Sequence, residues 1–402
     1  MLHYYGIPDD LYSAESCTAL SFCLWRKKTV GNIDTARLVR LFSELVAIDS
    51  PTFGERKVAD YLKEKLAEFS IPVSEDDAGE HMRGNCGNLF ARIPGDESLE
   101  PLVFCTHMDT VEPSCGKEAV VHEDGRITSR GNTVLGADDF AGVAAVLEVL
   151  YALRESGEKH HPIELIFSAA EERYCTGIRY FDFSKCKAKT GFVLDLTGEV
   201  GTAALAAPTV LTFSITLKGR AAHAGFAPET GINTVTAMAK AIASMQQGWL
   251  DQATTLNFGM ITAGKAGNIV PDLCEVRGEI RSAVHERALE VFGNVCAAFE
   301  TAANEVGASV SFQHDIPLHA YRVSETRNAL KRFARACERV CIPMQTTETF
   351  GGSDNAAMQL NGIDGIVVSN AMYNCHGTDE YTTVEDLKKT AELVYSLLTD
   401  DL

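Results

Sequence analysis

Four short apolar runs, each ending in polar or ionisable residues, constrain this chain more than any other feature. They are "PLVFCTH" (101–107), "IELIFSAAEE" (163–172), "GFVLDL" (191–196) and "DGIVVSN" (364–370). Near-continuous apolar runs of this length suit central strands of a sheet covered on both faces. Helical patterns alternate with them. "IDTARLVRLFSELVAI" (33–48) sets Leu38, Leu41, Phe42, Leu45 and Val46 on one face, and "SPTFGERKVADYLKEKLAEF" (50–69) repeats the pattern. The alternation predicts an α/β layered domain.

Residues 209–317 read differently. The order is strand "TVLTFSITLKG", helix "GINTVTAMAKAIASM", strands "TTLNFGMITA" and "DLCEVRGEIRS", helix "HERALEVFGNVCAAFETAANEVG" and strand "ASVSFQH". This β-α-β-β-α-β sequence is the ferredoxin-like split unit. After it, "AYRVSETRNALKRFARACERV" and "TVEDLKKTAELVYSLL" resume the first pattern. The expected organisation is therefore a catalytic α/β domain of residues 31–208 and 318–402, interrupted by an inserted α+β domain of 209–317. Residues 1–30 form an extension with no assigned fold role. In "ALSFCLWRKK" (19–28) the basic cluster comes after the apolar run, the reverse of a secretory signal.

With 402 residues, the chain is long enough for two domains. Its formal net charge of −19 argues against a nucleic-acid partner or an anionic membrane surface. Twelve cysteines are scattered without a CxxC pair, which favours a reduced, cytoplasmic protein.

The functional signal lies at the ends of the apolar runs and just past them. The first ends in His107 and leads to Asp109; the second ends in Glu171 and Glu172. The third contains Asp195, and the fourth leads through a short loop to His376. In α/β sheets the polar cleft lies beyond the carboxyl ends of the strands, so these groups can converge. Asp138 and Asp139, in "LGADDFAGVAAVLEVL" (135–150), stand at a helix start that can face the same cleft. Taken alone they read as helix-capping acids, and each histidine as an ordinary surface or hydrogen-bonded one. Taken together, two histidines and several carboxylates are the ligand mix for paired divalent ions.

The ordered set "HMDTV", "LGADDFAGVA", "AAEE", "VLDL", "GRAAHAGFAPETGIN", "GNIVPD", "GEIRS", "GGSDNAA" and "NCHGTDEY" resembles the M20 metallopeptidases, and among them the peptidase T (tripeptidase) branch, over about residues 33–400. The resemblance implies a zinc-peptidase-like α/β/α catalytic domain and two Zn²⁺ ions, with Mn²⁺ or Co²⁺ as alternatives, bridged by Asp138. It implies His107 and Asp195 on one ion, and Glu172 and His376 on the other. Asp109 would hydrogen-bond the far nitrogen of His107, Asp139 would support or cap, and Glu171 would be the general base. It further implies that His223 stabilises the oxyanion, from its own subunit or a partner's, and that Asn268, Arg281, Gly352 and Ser353 lie near a short-peptide substrate. A homodimer through residues 209–317 is a further expectation.

The chain departs from peptidase T relatives in "SAA" before the Glu pair, in Arg173 after it, and in "FAG" after the Asp pair. These changes leave the ligand positions intact and set the chain nearer the peptidase T-like group than the strict tripeptidases. The expected activity is aminopeptidase cleavage of short peptides. The same ligand set also serves carboxypeptidases and N-acyl-amino-acid deacylases. A catalytically silent binding protein is the reading from another class, although no ligand or base is missing. A Cys-His hydrolase built on Cys375 and His376 is disfavoured, because adjacent residues rarely aim at each other.

Overall fold

A computed structural model describes residues 32–400, so the extension expected at 1–30 lies outside the described residues. The larger sheet has eight strands, in the order 73–75, 89–93, 163–168, 102–107, 190–197, 364–372, 202–204 and 345–347. All four apolar runs are in it. Leu102–His107 pairs in parallel with Ile163–Ser168 on one side and Thr190–Thr197 on the other, and Asp364–Met372 extends the parallel centre. Every residue of Leu102–His107 and of Ile163–Ser168 is buried, which accounts for the missing alternation.

Helices cover both faces. On one side Ala137–Ser156 lies against the sheet beneath Thr35–Val46 and Val384–Leu398. It is buried from Ala137 to Leu153, so it is apolar all round rather than amphipathic. Its one deeply buried acid beyond the first turn, Glu148, is held by the Arg37 guanidinium and accepts the Asp34 amide at 2.8 Å. Asp34 in turn caps the first described helix through the amides of Ala36 and Arg37, both at 3.0 Å. Across the sheet, Val103, Cys105, Ile166, Val193 and Met358 form the second apolar layer. The predicted α/β/α architecture is what the chain adopts.

The second sheet is antiparallel, in the order 248–251, 254–263, 273–282, 209–218 and 309–318. Helices Thr234–Ala243 and His285–Val306 pack on one of its faces over Phe213, Ile215, Val276, Val295 and Phe299. The four long strands and two helices have the ferredoxin-like order. Gly248–Asp251 is an addition that the sequence pattern did not suggest: a four-residue edge strand whose Gly-Trp start carries no periodicity. Among the described residues no helix is long and apolar enough to cross a membrane. The buried cysteines Cys86, Cys105, Cys175, Cys186, Cys274 and Cys337 are free thiols.

Candidate active site

The carboxyl ends of the parallel strands deliver their polar residues to one cavity of about 300 Å³, walled by both sheets. His107 is the last residue of its strand, Asp195 lies near the end of Thr190–Thr197, and His376 sits in the loop after Met372. Asp138 comes from the turn ahead of the buried helix. Gly136 makes that turn with a φ of 80°, and a Cβ there would meet Thr110 Cγ2 at 3.0 Å.

Asp138 is the hub. Its Oδ1 lies 2.9 Å from His107 Nε2, and its Oδ2 lies 3.3 Å from His376 Nε2. Each half of the carboxylate therefore faces a different imidazole. Around the first half, His107 Nε2 is also 3.9 Å from Asp195 Oδ1; around the second, His376 Nε2 is 3.0 Å from Glu172 Oε2. Ligand atoms of His107, Glu171 and Asp195 fall within 4.8 Å of one another, as do those of His107, Asp138 and Glu172. His107 is buried, whereas the His376 side chain is 57% exposed and forms the rim.

The neighbouring acid Asp139 has a different task. Its carboxylate accepts the His107 amide at 3.0 Å and the Asn370 side-chain amide, which also donates to the Leu194 carbonyl at 2.7 Å. The peptide bond between the two acids is cis, and both residues have non-helical backbone torsions within the helix's first turn. Asp139 thus ties the ends of three strands together behind Asp138. The Asp138 turn is held from the other side by Glu380, which accepts the amides of Leu135, Gly136 and Asp138 at 2.7, 2.7 and 3.0 Å.

Asp109 departs from its expected contact. Its backbone oxygen, at 3.0 Å, is what His107 Nδ1 meets, with the carboxylate farther off at 3.5 Å. The carboxylate is engaged by the amides of Glu171 and Glu172 at 3.0 and 3.2 Å, and so it fixes the turn that bears both glutamates. The far nitrogen of His107 is still held by Asp109, chiefly through the main chain.

Burial and like charge dominate the electrostatics of this cluster. Burial pushes the Glu171 carboxyl well above the ordinary range, reinforced by Asp195; burial and then Asp138 do the same to Asp195. Burial also works to raise Asp138, but the two histidines outweigh it and hold its carboxyl low. The hydrogen bonds to Asp138 and Glu172 push His376 up to about 10. Four carboxylates with only two imidazoles between them form an unbalanced buried charge, and Glu172 Oε1 is buried without any partner. Divalent ions fit this donor set and would supply positive charge to it.

Not every sequence-predicted residue is in the cavity. Arg281, Gly352 and Glu171 line it; Ser353 is buried behind it. Arg281 Nη1 donates to the Phe350 carbonyl at 2.9 Å, and its Nε donates to Glu279 at 2.9 Å. His223 and Asn268 are exposed and lie side by side on a loop edge of the second sheet's unit, where the Ala224 amide donates to the Asn268 carbonyl at 3.0 Å. His223 Nδ1 accepts the amides of Gly225 and Phe226 at 3.1 and 3.2 Å, and its ring stacks on Phe226. Within one chain these two residues do not reach the cavity. Sequence reasoning missed Asn370 and Glu380. Asn370 ends the run "DGIVVSN" as the other site residues end theirs, and Glu380 stands four positions after His376, so both carried the same positional signal.

Comparison with known proteins agrees with this geometry. Residues 205–307 match a family model described as a peptidase dimerisation domain. A Bacillus subtilis protein, the uncharacterized YqjE, is 33% identical over 368 residues, covering 92% of this chain and 99% of that one. The crystal structure of a Staphylococcus aureus tripeptidase has a TM-score of 0.86 at 31% identity, covering 92% of this chain and 99% of that chain. That of the aminopeptidase PepT from Bacillus cereus has a TM-score of 0.82 at 34% identity, covering 91% and 98%. The chain belongs to the M20 family of metallopeptidases, in its peptidase T-like branch.

Proposed function

We propose that the protein is a two-metal aminopeptidase that releases N-terminal residues from short peptides. The observation that carries the reading is Asp138, whose two oxygens face separate histidines beside Glu171 in one cavity. His107, Asp195 and Asp138 would hold one ion, and His376, Glu172 and Asp138 the other, with Zn²⁺ the first choice and Mn²⁺ or Co²⁺ compatible with the donors. A bound ion pair lowers the pKa of water and polarises a carbonyl. Glu171 takes the proton from the attacking water and passes it to the leaving amine. Glu171 is buried, and the Cys175 thiol, donating to Oε1 at 3.0 Å, fixes its orientation. Arg281 would turn its planar fork from Glu279 and the Phe350 carbonyl to the substrate's far carboxylate. His223 serves a second copy's cavity, through a homodimer built on the residues that match the dimerisation model.

Turnover of free tripeptides against N-acetylated amino acids, each with metal-loaded and chelated protein, tests this. Cleavage of free tripeptides that stops on chelation and returns with added metal is the expected result. Cleavage of only the blocked substrates would move the activity to the deacylase or carboxypeptidase mode of the same site.

A further inference from the structure

The open face of the second sheet carries another cavity, of about 650 Å³ against about 300 Å³ for the catalytic one, and Tyr174 lines both. The two are successive stretches of one surface. Strand register sets Arg281 level with Val210 and Leu318, which line the catalytic cavity. Two residues along, Glu279 is level with Thr212 and Asp315. Two further, Arg277 is level with Ser214 and Gln313, and both of these rungs line the larger cavity. At roughly 6.7 Å per two residues of strand, Arg277 lies about 13 Å beyond Arg281, the span of about four extended peptide residues.

The charges along this path are uneven. Asp315 is taken by Arg179 through bonds of 2.7 and 3.0 Å. Glu279 is taken by Arg281 and by the hydroxyl, at 3.1 Å, of Tyr174, the residue that lines both cavities. Arg173 and Arg277 face the larger cavity, and neither guanidinium has an ion-pair partner among the described residues. Both side chains are exposed, so in a chain with a formal charge of −19 two unpaired guanidiniums in one cavity are free to receive an anion from outside. Continuity with the catalytic cavity makes that anion part of the substrate.

We propose that the two cavities are one groove, and that the larger binds the terminal carboxylate of a peptide about four residues longer than one that ends at Arg281. Arg277 and Arg173 receive the carboxylate, Thr212, Ser214 and Gln313 offer hydrogen bonds to the peptide backbone, and the Tyr174–Glu279 contact is the partition that the longer chain displaces. Two guanidinium stations on one sheet face then read two lengths of substrate. The assignment rests on the peptide-hydrolase reading above.

The test is calorimetric binding to the metal-loaded Glu171→Gln protein, which cannot complete turnover. The probes are a tripeptide, a heptapeptide with a free carboxylate, and the same heptapeptide amidated. The free heptapeptide is expected to bind about tenfold more tightly than the amide, in keeping with a charge-assisted contact. Adding Arg277→Ala should erase that difference while moving the tripeptide by less than about twofold, since a solvated side chain distant from Arg281 is removed. Equal binding of acid and amide in the parent, or equal loss of tripeptide and heptapeptide in Arg277→Ala, overturns the proposal. The acid–amide comparison needs no change at Arg277. Failure of the wild-type protein to cleave any peptide would remove the peptidase reading, while the acid–amide comparison would still decide the groove.

Discussion

Replacing Glu380 by alanine should damage both the stability of the chain and its hold on metal, although Glu380 is not a proposed ligand. Its carboxylate accepts three backbone amides of the turn that presents Asp138. Three buried donors left without partners cost about 1–3 kcal/mol each, so about 3–9 kcal/mol together. Against this stands relief from keeping a charge in a buried place. Burial pushes Glu380 up to about 7 from an ordinary 4.5, despite the three amides, which makes ionisation there unfavourable by about 3 kcal/mol. The net is a loss of about 0–6 kcal/mol, about 3 kcal/mol at its midpoint, which lowers the melting temperature by about 3–6 °C for a chain of this size. A loosened Asp138 should also weaken metal binding by about 10–100-fold, the usual effect of removing a group that orients a ligand. Glu380→Gln keeps one acceptor oxygen and should show less than half of each effect. Differential scanning calorimetry of the metal-free protein and competition with a chromophoric chelator measure the two quantities. A Glu380→Ala protein that melts within about 1 °C of wild type and binds metal equally tightly would refute the reasoning, because the amide bonds would then hold nothing in place.

Other predictions rest on single features. Glu171→Gln should retain wild-type metal content while kcat falls by about 10²–10⁴, as expected for a lost general base, in a tripeptide assay. Gly142→Ala should destabilise by about 1–3 kcal/mol, measured by chemical denaturation. The new Cβ would lie 2.5 Å from Asp139 Oδ1 and 2.9 Å from Leu194 Cβ, so Asp139 Oδ1 would be pushed off the Asn370 side-chain amide. Acid sensitivity has a specific contributor. Burial would raise Glu75, but Arg56, Lys63 and the Gly87 amide outweigh it and hold the carboxyl at about 2. Its stabilisation is complete above an unfolded value near 4.5 and is lost as pH falls from about 5 toward 2, by about 1 kcal/mol once solvent screening is allowed for. Glu75→Gln should therefore narrow the stability difference between pH 6 and pH 3.

The sheet was legible because burial on both faces leaves an unmistakable sequence trace: Leu102–His107 and Ile163–Ser168 could not be amphipathic and were not. The gathering of polar residues at one cavity was legible for a related reason, since parallel strands all discharge their last polar residue at the same end. Gly248–Asp251 was not legible, because a short edge strand in a hairpin needs no pattern of its own. The role of Asp109 was only half legible. Residue type says that a carboxylate is available, but whether it meets an imidazole or two amides depends on a turn from a distant segment. His223 and Asn268 show the same limit, for their loop lies away from the cavity of its own chain, and sequence spacing holds no information about a second copy.

We propose that Asp138 joins two metal ions in one centre. Elemental analysis of metal-loaded wild type and Asp138→Ala, after gel filtration to remove free ions, tests it most directly. About two divalent ions per wild-type chain are predicted, and fewer than about one in Asp138→Ala, because both sites lose a shared ligand. An Asp138→Ala protein that keeps the full wild-type metal content would contradict the account.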